Sequence, residues 1–565
     1  MRLYRLKEKF LLLLKQNPWV MVIFILLVFF IRAELAAKKN SLVTDEAGYI
    51  YSGYYYYKTN DFALNNDHPP LLKLLVAYPL IALDYALPLL ALQRFDSVLK
   101  IYMAMDALIL SHPAAEEIVM LARTMNILFG ILLGIMIFLW ARRLYGAGTA
   151  LLSLFLYSCC PNILANAYII NLDIGLACFF FMAVFCFWLW IKKPGAGNTV
   201  LAGLSLGLAI SSKSTGLLLL PVLAVLFVSH IFCERPSRLS SHLASMIFIP
   251  VIALIVLNAT YFFKGTLLPL KEFPYLLESS PGWMRKGVLG DIPLFLPADY
   301  LNGLHDLYFR LGQGYNAILM GKSSVGGWPH YHITAFLIKT TLPVLILLVL
   351  AAVFAKKVKG LSLQNELFLI IPVVSLFLVL TFKHSFNIGL RYLLPVYPFI
   401  FVYIGKLVRV EISRARWKLL AALLAALCAW HFLTSLVIHP HYISYFNELI
   451  GGPKNGHKYL VDSNLDIGQD FKYLKDYLDK RGIKKIKLLN FYGVDPALYG
   501  ISYELLQEDN LEGGIICVGA STLEIVRARL KNSGQENKII SWLDTHEPID
   551  IINYTILIYK GDQSG

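Results

Sequence analysis

The residues best suited to chemistry in this sequence are charged side chains at the ends of apolar runs. Asp45 and Glu46 follow the first long apolar run, and Asp173 and Lys213 stand beside two later ones. Arg391 precedes another apolar run further along the chain. Ionisable side chains at membrane depth are costly in free energy and usually serve a site. We therefore take these five residues as candidates for one site.

The mixture of charges indicates a kind of reaction. Carboxylates alone would favour a cation path, whereas carboxylates that face Lys213 and Arg391 suit a reaction that needs a base and releases an anion. Transfer of a sugar from a lipid phosphate to a hydroxyl is such a reaction, because one carboxylate accepts the hydroxyl proton while cations stabilise the departing phosphate. Hydrolysis of a glycoside by water differs, since it uses two carboxyl groups in concert.

Each candidate also has a purely structural interpretation. The Asp45-Glu46 pair could be a solvated loop, and Asp173 could cap a helix by accepting its free backbone N–H groups. Lys213 and Arg391 could extend along the helix surface to lipid head groups. The functional interpretation of the acidic pair gains support from the turn at residues 68–70, His-Pro-Pro, which brings the chain back toward it.

The composition places these residues in a membrane protein. The chain has 565 residues, of which 57% are hydrophobic and 16% are charged. Apolar runs of about 20 residues, long enough to cross about 30 Å of hydrocarbon as a helix, recur through residues 1–438. Residues 439–565 contain no such run. We therefore predict a polytopic α-helical membrane domain over residues 1–438 and a separate domain over residues 439–565.

Basic clusters at the ends of the apolar runs predict the topology. Six clusters fall on one side when the chain is threaded through about eleven spans, and that side is the cytoplasm by the positive-inside rule. The N-terminus is then cytoplasmic, and the loops at residues 37–117 and 264–330 are external. The net charge of +14 is explained by these clusters and gives no reason to expect a nucleic-acid partner.

The tail alternates amphipathic helical patterns with short β-type runs. Helical patterns cover residues 469–481 and 523–531, and β-type runs cover residues 486–492, 514–518 and 554–559. Since eleven spans place the C-terminus outside, we predict a small extracytoplasmic α/β domain.

Several of these features together carry a resemblance to a known family. In chain order they resemble the GT-C membrane glycosyltransferases of family 39, which include protein O-mannosyltransferases and lipid A aminoarabinose transferases. The features are the Asp45-Glu46 pair, His68-Pro69-Pro70, Asp173, Lys213-Ser214-Thr215-Gly216 and Arg391-Tyr392-x-x-Pro395. The resemblance covers roughly residues 1–440. Residues 462–470 are similar to a segment of bacterial phospholipid-carrier-dependent glycosyltransferases.

The resemblance implies an inverting hexosyl- or pentosyltransferase. Its donor would be a polyprenyl-phosphate sugar, and its acceptor a hydroxyl of a cell-envelope protein, lipid or glycan. The enzyme would work among membrane lipids at the outer face of the bacterial inner membrane. The loop at residues 264–330 lacks the long inserted module of eukaryotic protein mannosyltransferases, which favours the bacterial branch.

The resemblance also implies roles for single residues. Asp45 would be the general base, Glu46 would orient the acceptor or the helix, and Asp173 would complete the acidic side. His68 would brace the first loop at the substrate. The residues implied in binding the lipid phosphate are Lys213, Arg391, Lys383 and His384.

Two alternative functions and one cofactor question stay open at this point. A flippase or transporter would bind the same lipid phosphate and leave its bond to the sugar intact. An oligosaccharyltransferase-like enzyme would use a diphosphate carrier. The three carboxylates could hold Mg²⁺ or Mn²⁺ through their oxygens, but proton abstraction needs no metal, and we expect no obligatory cofactor.

Overall fold

The computed structural model describes residues 17–91, 98–234, 239–273, 275, 288–314, 316–382 and 387–562. Two of the predicted site residues, Lys383 and His384, lie outside the described residues. The rest of the candidate site falls within them.

The first helix illustrates how local sequence sets an element. Asn17 accepts a hydrogen bond from the backbone N–H of Trp19 at 3.1 Å, and Pro18 occupies the first helical position, where a missing N–H does no harm. The helices of the first half are α1 (Pro18–Lys39), α2 (Glu46–Thr59), α3 (Leu71–Ala82), α4 (Val98–Leu110), α5 (Ala115–Tyr145), α6 (Ala147–Ser158), α7 (Pro161–Tyr168), α8 (Asp173–Lys192), α9 (Ala196–Ile210), α10 (Leu219–Glu234), α11 (Leu239–Met246) and α12 (Phe248–Thr260).

The second half contains further helices and all of the strands among the described residues. Its helices are α13 (Ala298–Gln313), α14 (Tyr331–Lys339), α15 (Leu342–Val353), α16 (Leu363–Phe382), α17 (Val396–Gly405), α18 (Arg414–Val437), α19 (Phe471–Arg481), α20 (Ala520–Ser533) and α21 (Lys538–Thr545). Its strands are β1 (Ala317–Leu319), β2 (Lys322–Ser324), β3 (Ile486–Leu489), β4 (Tyr503–Leu505), β5 (Ile515–Gly519), β6 (Asp550–Ile552) and β7 (Ile556–Lys560).

The helices confirm a polytopic membrane protein. Within the described part of the chain, seven helices are long and apolar enough to cross a membrane, and two bent pairs raise the number to nine. The pairs are α6 with α7, bent by 63°, and α14 with α15, bent by 108°. A proline at the start of the second helix of each pair explains the bends, since it ends the preceding helix and suits the first turn of the next.

The remaining two of the eleven predicted spans are short helices. They are α9, with 15 residues, and α17, with 10. At a rise of 1.5 Å per residue, α17 alone covers about 15 Å, half the hydrocarbon thickness. Nine of its residues are buried, and 3₁₀ turns at Leu390–Leu393 and Lys406–Arg409 flank it. The eleven predicted spans are therefore nine by length plus two short helices, of which α17 is enclosed by its neighbours.

Two glycines allow α9 to pack closely on α12. A Cβ atom at Gly203 would lie 2.6 Å from the Cβ of Ile252, and one at Gly207 would lie 2.6 Å from the Cβ of Val256. Small residues four apart are the usual means by which membrane helices approach each other. This contact fixes the helix whose end leads to Lys213.

The tail folds into the predicted α/β domain. Five strands form a sheet in the order β4-β3-β5-β7-β6, in which β3 is parallel to both β4 and β5, and β7 is antiparallel to β5 and β6. Helix α19 packs on one face of the sheet through Leu474. Helices α20 and α21 cover the other face through Leu523 and Leu543.

Candidate active site

A cavity of about 370 Å³ lies where the first loop, the end of α7, the turn before α17 and the start of the tail domain meet. We call it the rim cavity. It contains three of the predicted site residues, Asp45, His68 and Arg391. Asp462, from the segment at residues 462–470, also lines it. The structure therefore brings together residues from four distant stretches of the sequence.

Asp45 stands directly before α2, and the tail domain holds the loop that carries it. The backbone N–H groups of Ser41 and Thr44 donate to the carbonyls of Gln469 and Ile467 at 2.9 and 3.2 Å. The Thr44 hydroxyl in turn accepts a hydrogen bond from the N–H of Gly493 at 2.8 Å. These bonds fix the backbone on the N-terminal side of the candidate base.

The electrostatics of Asp45 suit a base. Its side chain is 44% exposed and faces Arg391, with 3.9 Å between Oδ2 and Nη1. The walls of the cavity partly remove Asp45 from bulk water, which raises its pKa, and the opposing attraction of Arg391 is the smaller effect. A carboxylate with a raised pKa is a stronger base than an ordinary aspartate.

Glu46 is adjacent to Asp45 in sequence but occupies a different environment. Its side chain is fully buried and forms a double contact with Arg123, at 2.9 Å to Nε and 2.5 Å to Nη2. It also accepts hydrogen bonds from the N–H groups of Val43 and Ile170, both at 2.9 Å. Glu46 does not line the rim cavity. Of the two roles that the resemblance implies, its contacts fit orientation of the helix and loop.

The third predicted carboxylate, Asp173, lies near the cavity but does not line it. Asp173 is the first residue of α8, and its Oδ1 accepts a hydrogen bond from the Nζ of Lys213 at 2.6 Å. Its Oδ2 lies 3.9 Å from the Nε of Arg391. Lys213 also lies over the Tyr392 ring, 4.5 Å from its centroid. Asp173 and Lys213 are both buried and do not line the cavity, so their contact with a substrate would be indirect.

Arg391 lies between this buried pair and the cavity, because it is close to Asp173 and also lines the cavity. Its guanidinium faces Asp45 on one side and Asp173 on the other, each at 3.9 Å, which is too long for a direct hydrogen bond. Its Nε is buried and has no hydrogen-bond partner among the described residues. Arg391 also lines the rim cavity, so the part of its guanidinium that faces the cavity can donate to an incoming anion.

His68 braces the first loop. Its Nδ1 lies 3.3 Å from the hydroxyl of Ser214, which donates to the carbonyl of Asp67 at 3.0 Å. The Nζ of Lys73 donates to the His68 carbonyl at 2.8 Å. Burial and then the neighbouring cations, Lys213 first, hold the pKa of His68 well below its usual range. His68 is therefore neutral at pH 7 and adds no charge to the site.

Three residues at or near this site escaped the sequence analysis, namely Arg310, Tyr492 and Arg123. Arg310, on α13, pairs with Asp67 and lines the cavity. Tyr492 donates to Asp462 at 3.1 Å, and both line the cavity. Arg123 carried a usable signal, because it is a lone charged residue inside an apolar run and such residues usually have a partner.

The carboxylates considered for Mg²⁺ or Mn²⁺ do not share a site. Glu46 is occupied by Arg123, and Asp173 is occupied by Lys213. In the part of the chain that the structure describes, no three His, Cys, Asp or Glu side chains are placed to hold a metal ion. The donor set therefore does not fit a common cation site.

Residues 22–267 match the model of one protein family, described as dolichyl-phosphate-mannose-protein mannosyltransferase. The predicted resemblance is confirmed. The matched segment contains Asp45, His68, Asp173 and Lys213, whereas Arg391 lies beyond it. A search of curated proteins gives no match.

Two solved structures are similar to this chain in backbone fold. ArnT from Cupriavidus metallidurans, bound to undecaprenyl phosphate, has a TM-score of 0.48 and 12% identity, with 96% of this chain and 97% of that chain covered. The archaeal oligosaccharyltransferase AglB from Archaeoglobus fulgidus, in complex with an inhibitory peptide and a dolichol-phosphate, has a TM-score of 0.41 and 13% identity. That alignment covers 73% of this chain and 55% of that chain.

Proposed function

We propose that this protein is an inverting glycosyltransferase that moves a sugar from a polyprenyl-phosphate donor to a hydroxyl group. The acceptor belongs to the cell envelope, and the reaction takes place at the outer face of a bacterial inner membrane. The family match over residues 22–267 supports the class of reaction. The observation that carries the proposal is the pairing of Asp45 with Arg391 at 3.9 Å across one cavity.

The reaction needs one proton acceptor and one anion site. Asp45 accepts the proton of the acceptor hydroxyl as the oxygen forms its bond to the anomeric carbon of the sugar. The bond between that carbon and the phosphate oxygen breaks, and its electron pair stays on the lipid phosphate. Arg391 faces this phosphate, and Asp173, which accepts a hydrogen bond from Lys213, lies on the other side of Arg391.

The charge of the site stays constant during this step. The donor is a phosphodiester with one negative charge, and the departing lipid phosphate is a monoester that carries one more. Asp45 loses its negative charge by accepting the proton. Arg391 therefore lies between the place where charge disappears and the place where charge appears, and it needs no change in its own protonation.

A direct displacement needs only one carboxylate of the cavity as the base. Of the two others that line the cavity, Asp67 pairs with Arg310 and Asp462 accepts a hydrogen bond from Tyr492. A retaining enzyme would need a nucleophile as well as an acid or base. Asp173 is occupied by Lys213, and Glu46 is enclosed with Arg123, so neither is free to attack the sugar. A single base and a stabilised leaving group give inversion at the anomeric carbon.

The experiment that tests the proposal uses the full chain in lipid vesicles. Radiolabelled polyprenyl-phosphate hexoses and pentoses are supplied with a bacterial membrane extract as acceptor, with and without EDTA. We expect label to move from the lipid phosphate into the extract with the wild type and to stay on the lipid with Asp45→Asn. The sugar that is transferred distinguishes a hexosyl- from a pentosyltransferase.

Two outcomes would contradict the proposal. Movement of intact labelled lipid between leaflets, without cleavage of the sugar–phosphate bond under any acceptor, would establish a flippase. Near-normal transfer by Asp45→Asn would remove Asp45 as the base. The EDTA arm tests the expectation that no divalent cation is required.

A further inference from the structure

A second cavity, of about 660 Å³, separates α4 from the edge of the tail domain. We call it the domain cleft. Tyr102, Met103 and Asp106 line it from α4, and Phe491, Asp495 and Leu505 line it from the tail domain. The proposed donor chemistry in the rim cavity does not use this space.

The domain cleft and the rim cavity meet at the candidate base. Asp45, Thr44, Tyr102 and Tyr492 line both of them. Arg391 lines only the rim cavity. A molecule in the domain cleft would thus approach Asp45 from a direction other than that of the lipid phosphate, as a displacement at the sugar requires.

The two cavities differ in charge. The rim cavity has cations in its lining, Arg310, Lys339 and Arg391, together with the carboxylates of Asp45, Asp67 and Asp462. The charged residues that line the domain cleft, within the described ranges, are Asp45, Asp106 and Asp495. Like charges repel more strongly when they are partly removed from water. The domain cleft is therefore suited to an acceptor without phosphate groups.

The remaining lining combines aromatic faces with hydrogen-bond acceptors. Tyr102, Phe491 and Tyr503 contribute rings, and the side chain of Phe491 is 57% exposed. Asp495 already accepts hydrogen bonds from the Tyr503 hydroxyl at 3.0 Å and the Ala497 N–H at 2.9 Å through one oxygen. A saccharide has apolar C–H faces that pack on rings and hydroxyl groups that donate to carboxylates.

From these observations, and resting on the proposed function, we propose that the domain cleft is the acceptor site and that the acceptor is a neutral saccharide. The saccharide packs against Phe491 and donates to the carboxylates of the cleft. Its reacting hydroxyl reaches Asp45 at the junction of the two cavities. The tail domain thereby determines which acceptor is used.

The class of acceptor is tested by fractionating the membrane extract. Three fractions are offered with radiolabelled donor: uncharged saccharides released from glycolipids, phosphate-bearing saccharides separated from them by anion exchange, and delipidated protein. We expect label in the uncharged saccharides. Transfer confined to the phosphate-bearing fraction, or to protein in a protease-sensitive form, would overturn the assignment.

The place of the acceptor is tested with Phe491→Ala. Loss of the exposed ring should raise the KM for the uncharged saccharide about tenfold and leave kcat within about twofold. Phe309→Ala is the matched control, because Phe309 is an equally exposed ring, at 63%, that does not line either cavity. An unchanged KM in Phe491→Ala would overturn the assignment of the cleft.

Slow hydrolysis of the donor by water separates this inference from the proposed function. Hydrolysis uses the rim cavity and not the domain cleft, so hydrolysis of the donor by the wild type in the absence of acceptor tests the proposed function by itself. If the wild type hydrolyses the donor and Phe491→Ala transfers sugar with an unaltered KM, the assignment of the domain cleft is refuted and the proposed function is not. Absence of both hydrolysis and transfer in the wild type would refute the proposed function.

Discussion

The two ends of α17 carry two ionic clusters of similar composition and different construction. At one end, Arg391 lies 3.9 Å from both Asp45 and Asp173, and one of its nitrogens lacks a partner among the described residues. At the other end, Lys406 donates to Glu366, whose second oxygen accepts from the Tyr145 hydroxyl. The first cluster opens onto a cavity, and the second is enclosed by packed helices.

The difference shows what distinguishes a site from a structural ion pair in such a protein. Both clusters bury charge, so burial alone does not identify function. A structural pair satisfies its charges at hydrogen-bond distance. In the cluster at the rim cavity, Arg391 lies 3.9 Å from both carboxylates, so a further anion can bind beside it. The pair Glu46–Arg123 belongs with the structural cluster, although Glu46 is adjacent to the candidate base.

The largest effect is expected at Asp45. Replacement by Asn removes the proton acceptor and keeps the size of the side chain, so transfer should fall by about 10²- to 10⁴-fold. The thermal midpoint in detergent should stay close to that of the wild type. The measurement is the initial rate of label transfer at saturating donor. A rate within tenfold of the wild type would place the base elsewhere.

At the opposite end of α17, Glu366→Gln should affect stability and not chemistry. It leaves Lys406 buried beside an uncharged partner, which costs about 3–5 kcal/mol when a buried pair is broken. We expect a lower thermal midpoint in detergent and an unchanged turnover per folded molecule at low temperature. A selective loss of turnover would mean that the two clusters do not differ in the way described above.

Arg391→Lys tests whether the geometry of the cation matters at the rim. Lysine keeps the charge but loses the planar fork that can face two oxygens at once. Loss of one preorganised donor to the departing charge should lower kcat by about 10²-fold. Lys406→Arg at the other end of α17 is the control and should leave kcat unchanged. Equal effects of the two substitutions would contradict the distinction.

The smallest effect is a displacement of the pH profile. The surroundings of Asp45 raise its pKa. The midpoint of the acid limb of the kcat/KM profile should therefore lie above the ordinary aspartate pKa of about 3.9. Transfer is lost as the pH falls through this raised pKa, because the protonated carboxyl cannot accept a proton. Asp45→Glu should keep an acid limb, and Asp45→Asn should have none. A limb at the ordinary aspartate value would contradict the environment described for Asp45.

Much of the site could be predicted from the sequence because membrane helices constrain it strongly. Charged residues at the ends of apolar runs must lie near the membrane surface, which is how Asp45, Asp173, Lys213 and Arg391 were found. The apolar runs do not show the direction in which each side chain points. Glu46 begins a helix and turns into the interior toward Arg123, while Asp45 precedes the helix and faces the cavity.

The sequence could not show that the tail domain contributes residues to the rim cavity. Residues 462–470 entered the sequence analysis only through the resemblance, and Asp462 lies in a 3₁₀ turn, Asp462–Asn464, and lines the rim cavity. Its proximity to Asp45 depends on contacts across hundreds of residues, which no local pattern records. The helix α13 was likewise placed within a loop, so Arg310 was not considered.

The hydrogen bonds between the first loop and the tail domain have a consequence for biosynthesis. Thr44 bonds to residues 423 and 449 positions later in the chain, Ile467 and Gly493. A ribosome-bound chain that has inserted its spans but not yet released its tail lacks these partners, and the loop before Asp45 is unsupported. The loop before Asp45 therefore acquires these hydrogen-bond partners only after residues 467–493 have been translated and have docked against it.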